Sequence, residues 1–216
     1  LSIDIKNFEK SIKFTGKGSE KNNILFKYFQ KFDNDITSKN DKNSFNLSHK
    51  DFYEYYNKRK SEELYFINEL LKNNTDIAFT DFINLEIKYK WANKYYNYPK
   101  IYERINNKKP YIDSLINKDV RKDISITNDN YLISPEYRSF IIENFNNRYV
   151  RYLKKNQQEI LKDNYEYQYK YYETSSTGKI KEYLLANLVF ESIVSTTFSV
   201  AQKLYTSFKD NNNESA

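Results

Sequence analysis

Phe79, Phe82, Ile83, Ile87, Trp91, Tyr95 and Tyr98 recur at steps of three and four residues. That spacing places large apolar side chains on one stripe of an α-helix, and no other feature restricts the fold of this chain as strongly. The same period returns along most of the sequence. A first helix is expected over 19–32, with Ile24, Leu25, Tyr28 and Phe32 on one face and Ser19 as its cap. A second opens after Ser48, has Asp51 in its first turn, and carries Leu64, Ile67, Leu70 and Leu71 toward Lys72. The stripe starting at Phe79 makes the third, which Pro99 is expected to stop, because proline disfavours helical geometry in the residue before it.

Further on, Ser134-Pro135-Glu136 is a helix start: serine caps, and proline suits the first helical position. Tyr137, Ile141, Phe145, Tyr149, Tyr152 and Leu153 follow as an inward face. Another helix is expected over 158–174 with Leu161, Tyr165, Tyr169 and Tyr172. Thr177-Gly178 separates it from one over 179–194 with Leu184 and Leu188 in the core. A last helix over 197–208 carries Phe198, Ala201, Tyr205 and Phe208. Residues 34–46 are polar and read as a loop. Residues 100–133 read as irregular chain with short helical turns near Tyr102 and Leu115. Only 39% of residues are hydrophobic while 18% are aromatic, so Tyr and Phe must supply much of the core. The expected fold is all-α: a multi-helix bundle of antiparallel helical hairpins, without the fixed repeat of a solenoid.

The two ends differ from the middle. Leu1, Ile3, Ile5, Ile12 and Phe14 alternate with polar residues, the period of a half-buried strand, before Gly16-Lys17-Gly18 breaks the pattern. One or two short strands are too few for a sheet of their own. Residues 1–18 are therefore expected to be a β remnant of an upstream domain, 19–208 the helical domain, and 209–216 a linker or tail. The chain has no methionine, so Leu1 is expected not to be the natural start and the chain to be a piece of a longer protein. No apolar run approaches the roughly 20 residues of a membrane span.

Composition narrows the chemistry. There is no cysteine and one histidine, His49, which removes thiol nucleophiles and redox pairs and leaves almost no route to an imidazole zinc site. The net charge of +6 invites a nucleic-acid partner, but both signs alternate along the chain, as in Lys58-Arg59-Lys60 before Glu62-Glu63, where a binding footprint needs a patch or stripe. His49 beside Ser48 lacks the orienting third group of a triad and reads as a solvent-facing residue in a first helical turn. Asp33 with Asp35, or Asp76 with Asp81, read as loop or helix-start carboxylates and not as metal ligands. Gly16-Lys17-Gly18-Ser19 lacks the remaining positions of a phosphate-binding loop and reads as a turn. No catalytic, cofactor-binding or metal-binding residue is assigned. Tyrosines in Tyr53-Glu54-Tyr55-Tyr56 and over 165–172 fall on more than one helical face, so some must be exposed, which suits a protein–protein surface.

Four segments in order carry a resemblance: 11–22 (SIKFTGKGSEKN), 81–99 ending in Tyr98-Pro99, 134–140 (SPEYRSF) and 178–186 (GKIKEYLLA). Together they resemble the helical region preceding the thioredoxin-like domain in TlpA/ResA-type envelope thiol–disulfide oxidoreductases. The resemblance implies a periplasmic or cell-envelope location and a membrane-anchored parent with a C-terminal thioredoxin-like domain. It implies an accessory role here: spacing that domain, forming a homodimer, or meeting client proteins. The family's C-x-x-C pair is absent, so no catalytic residue carries over and the chain itself is expected not to be an enzyme. The alternative is a free-standing helical module that recognises peptide, glycan or nucleic acid through exposed tyrosines.

Overall fold

The computed structural model describes residues 12–33, 35–72, 76–156 and 165–213. Among them are nine α-helices, one 3-10 helix and no strand, so the fold is all-α. Where one helical domain over 19–208 is expected, the helices group into two compact units, Leu1–Ile124 and Ser125–Ala216. The expected strands around Leu1, Ile3 and Ile5 lie outside the described residues. Residues 12–15 form no strand, because the Asn23 carboxamide takes the place of a neighbouring strand. It accepts from the Phe14 N–H at 3.0 Å and donates to the Phe14 carbonyl at 2.9 Å.

The first unit holds α1 (Ser19–Phe32), α2 (Asp35–Ser44), α3 (His49–Leu71), α4 (Ile77–Asn106) and α5 (Ser114–Lys122). Gly18, with φ of 79°, occupies the cap position of α1 that the sequence suggests for Ser19; with Gly16 at 97° it makes a turn that needs positive φ twice. Helices α3 and α4 run antiparallel: Phe52 near the start of α3 stacks on Tyr98 late in α4 at 4.3 Å, while Tyr56 meets Trp91 edge-on. Their apolar stripes enclose Ile67, Ile83, Ile87 and Trp91, and α1 adds Ile24, Tyr28 and Phe32.

Two expectations fail here for tertiary reasons. Helix α4 does not stop at Pro99 but continues to Asn106. An interior proline costs about 3 kcal/mol through its missing N–H and a clash one turn back. The cost is offset because Tyr98, 1% exposed, is anchored from outside the helix: its ring lies on Phe52 and its hydroxyl donates to the Leu47 carbonyl at 2.8 Å. Residues 35–44, expected as loop, form α2. They lack an apolar stripe, and what holds the helix is Asp41, whose buried carboxylate pairs with cations and a phenol from α3 and α4.

The second unit holds a 3-10 turn (Asp129–Ile133), α6 (Pro135–Lys155), α7 (Tyr165–Ser175), α8 (Gly178–Ser195) and α9 (Phe198–Asn213). Ser134 caps α6 as its sequence suggests, its hydroxyl accepting from the Tyr137 N–H at 3.0 Å. Tyr137, Ile141, Phe145, Tyr149 and Leu153 are buried along α6, while Tyr152 stands out in solvent. On α9 Ala201 and Leu204 are the buried residues, and Phe198 and Tyr205, expected inward, are exposed. The helix carries on through 211–213, part of the stretch expected to be tail. The start of the helix expected at 158, with Leu161, lies outside the described residues.

The cap of α8 comes from elsewhere in the unit. Thr177 makes no side-chain cap bond; instead the Asp129 carboxylate accepts from the N–H groups of Lys179 and Ile180, both at 3.1 Å. Gly178, with φ of 63°, lets the two segments approach that closely. No helix among the described residues is long and apolar enough to cross a membrane.

Candidate functional site

Three groupings hold the polar chemistry of the molecule. The first centres on His49. The sequence suggests a solvent-facing residue, but the ring is 4% exposed and wedged between Tyr95 and Tyr98. Nδ1 accepts from the Asp113 N–H at 3.1 Å, which assigns the proton to Nε2, where it faces the Tyr95 hydroxyl oxygen at 3.0 Å. Burial lowers the imidazole pKa, and the nearby Asp113 carboxylate partly counters that. Asp113 in turn caps α5 by accepting from Leu115 and Ile116. His49 thus ties the starts of α3 and α5 to α4. Ser48, its sequence neighbour, is turned away: its hydroxyl donates to the Asp51 carboxylate at 2.7 Å. The two do not form a nucleophile–base pair.

A buried cluster of charges forms the second grouping, which the sequence reading missed. Glu63 has no solvent exposure. It accepts from the Tyr28 hydroxyl at 2.5 Å, and Lys90 Nζ lies 3.4 Å away. Lys90 also reaches Asp33 at 3.2 Å. Beside it, Asp41 accepts from Tyr55 at 2.5 Å and pairs with Lys94 and, at 3.7 Å, with Arg59. Burial and the Asp41 carboxylate raise the Tyr55 pKa, so the phenol stays protonated and keeps donating. Arg59, Lys90 and Lys94 share four carboxylates, Asp33, Asp41, Glu62 and Glu63, through internal ion pairs. One signal was available: Glu63 falls on the same stripe as Phe52, Tyr56, Ile67 and Leu71, and a charge on an apolar stripe needs a partner. Its partners Lys90 and Tyr28, 27 and 35 positions away along the chain, carry no such mark.

Asp76 caps α4, accepting from the Phe79 N–H at 2.9 Å, and pairs with Lys21. Asp81 is exposed on α4, Asp33 serves Lys90, and the side chain of Asp35 lies outside the described set. Among the described residues no three His, Asp or Glu side chains converge as metal ligands do.

The third grouping is open. Between α6 and α7, a cleft of about 350 Å³ is lined by Tyr149, Tyr152, Leu153, Tyr167, Lys170, Tyr171 and Thr174. Tyr171 lies 5.5 Å from Tyr149 and 5.2 Å from Tyr152 between ring centres. Tyr152 and Tyr167 are exposed. Such a wall offers aromatic faces, phenol hydroxyls and one ammonium, which suits an apolar or planar group with a polar rim. It holds no pair of acid and base groups.

Comparison with known proteins adds no relative: no family model, curated protein or solved structure matches this chain.

Proposed function

We propose that this chain is a non-catalytic helical module whose role is to space, pair or dock other proteins. One observation carries the reading. Among the described residues, both His49 ring nitrogens and the buried carboxylates of Glu63 and Asp41 are engaged in internal contacts. The surface left over is rich in apolar and phenolic groups, the composition of contact surfaces.

Within that reading, the chain is an accessory domain of an envelope thiol–disulfide oxidoreductase. Support comes from the order of the four sequence segments and from a cysteine-free composition, which suits a partner to a redox domain. The tests are direct. A C-x-x-C thioredoxin-type segment immediately downstream in the same reading frame is the expected finding. The purified chain is expected to show no turnover of a dithiol or disulfide substrate, and measured turnover would overturn the proposal.

A second reading rests on the tyrosine-lined cleft: a free-standing module that binds peptide, glycan or nucleic acid by stacking. It is favoured instead if the reading frame stops after Ala216 and if Tyr152 and Tyr167 resonances shift on titration with a proline-rich peptide, an oligosaccharide or a short oligonucleotide.

A further inference from the structure

From Tyr183 to Val194, helix α8 carries apolar residues on both its buried and its exposed sides. Ile180, Leu184, Leu185, Leu188 and Val189 are buried in the second unit. On the opposite side Phe190, Ile193 and Val194 stand 69%, 62% and 77% exposed, and Phe198, at the start of α9, is 81% exposed. Ala186, also exposed, extends the stripe by one turn. Of the residues from Tyr183 to Gln202 only Glu191 is charged, in a chain that is 30% charged overall, and Glu191 is engaged with Asn187 at 2.9 Å. A helix that is hydrophobic on both sides belongs inside something larger than the unit that carries it.

We infer that this stripe is the interface of a homodimer, with α8 packed antiparallel against α8 of a second copy across a two-fold axis near Phe190. Area and shape select a second copy as the occupant. A large aromatic presents about 150–250 Å² when fully exposed, so the stripe leaves roughly 500 Å² of apolar surface in water. One such face lies at the upper end of what a monomer shows. Two of them together bury about 1,000 Å², the threshold of a specific interface, before any rim is counted. The face also complements itself: with Phe190 at the axis, Ala186 of one copy, four residues before it, meets Val194 of the other, four residues after, so a small side chain sits opposite a β-branched one. The inference stands apart from the oxidoreductase reading and does not require it.

The test uses the full chain in analytical ultracentrifugation across a concentration series from low to high micromolar. A reversible monomer–dimer equilibrium is expected. Phe190→Asp should weaken it by roughly 30-fold or more, since the ring is a central apolar anchor, while the far-UV circular dichroism spectrum stays helical because Phe190 is exposed within its own chain. The natural absence of cysteine makes cross-linking specific. Chains carrying Ala186→Cys and Val194→Cys, mixed and oxidised with diamide, should form the mixed disulfide in preference to either like pair. A monomer throughout the range, an unchanged equilibrium for Phe190→Asp, or binding of the stripe to neutral phosphatidylcholine vesicles with no self-association would each overturn the inference.

Discussion

Gly178→Ala tests how the second unit is locked. A Cβ at this position would lie 2.5 Å from Asp129 Oδ2 and 3.2 Å from its Cγ, and the backbone sits at φ of 63°. A non-glycine residue in the left-handed region costs about 1–2 kcal/mol. The clash adds to that, because Asp129 cannot retreat without releasing the N–H groups of Lys179 and Ile180, and losing a cap of this kind costs about 0.5–2 kcal/mol. The expected total is about 2–4 kcal/mol. For a unit of this size each kcal/mol moves the midpoint by about 4–8 °C, so a drop of at least about 10 °C is expected in a far-UV circular dichroism melt. The single tryptophan, Trp91, lies in the first unit, so its fluorescence is the wrong readout. Asp129→Ala alone should cost only the cap. The double variant should lose less than the sum of the two single losses, because no carboxylate remains to meet the new Cβ. A Gly178→Ala protein within about 0.5 kcal/mol of the parent, or strictly additive losses, would refute this account.

Four more outcomes follow from the buried polar groups. Glu63→Ala should destabilise by about 1–3 kcal/mol, since it removes the buried acceptor of the Tyr28 hydroxyl while Lys90 keeps Asp33, and urea unfolding measures it. Tyr149→Phe should be neutral or slightly stabilising, because among the described residues the buried hydroxyl has no hydrogen-bond partner. Tyr172→Phe should cost about 1 kcal/mol, because that hydroxyl donates to Asn146 and accepts from Gln168. For His49, burial holds the folded pKa below the ordinary 6.5. Above that value both folded and unfolded forms are neutral and stability is level. As pH falls through it the unfolded chain takes the proton first, so stability drops, by at most about 1.4 kcal/mol per pH unit for one proton. His49→Asn should abolish the slope between pH 5 and 6.5, and a rise in stability on acidification would contradict the assigned tautomer.

Where the controlling interaction lies within one turn of helix, the sequence reading holds. Ser48 and Ser134 cap α3 and α6 as expected, and the stripe from Phe79 to Tyr98 is buried at Phe79, Ile83, Ile87, Trp91, Tyr95 and Tyr98. It fails where the partner is distant. Asp41 offers no local reason for a helix, and His49 no local reason for burial. Pro99 gives a local reason to stop that Phe52 and Leu47 override from α3 and its approach. On α8 the expected core residues Leu184 and Leu188 are buried, but the sequence does not mark the exposed side of Phe190, Ile193 and Val194, because both sides are apolar there.

Read alone, the sequence settles the fold class, the places where most helices begin, and the absence of thiol chemistry. Those are composition and nearest-neighbour properties of the chain. Tertiary structure alone decides the division into two units, the buried charge cluster, the Asp129 cap with its glycine gap, and the apolar face left outside. Each depends on groups far apart in sequence, whose hydrogen bonds and desolvation have no meaning until folding brings them together.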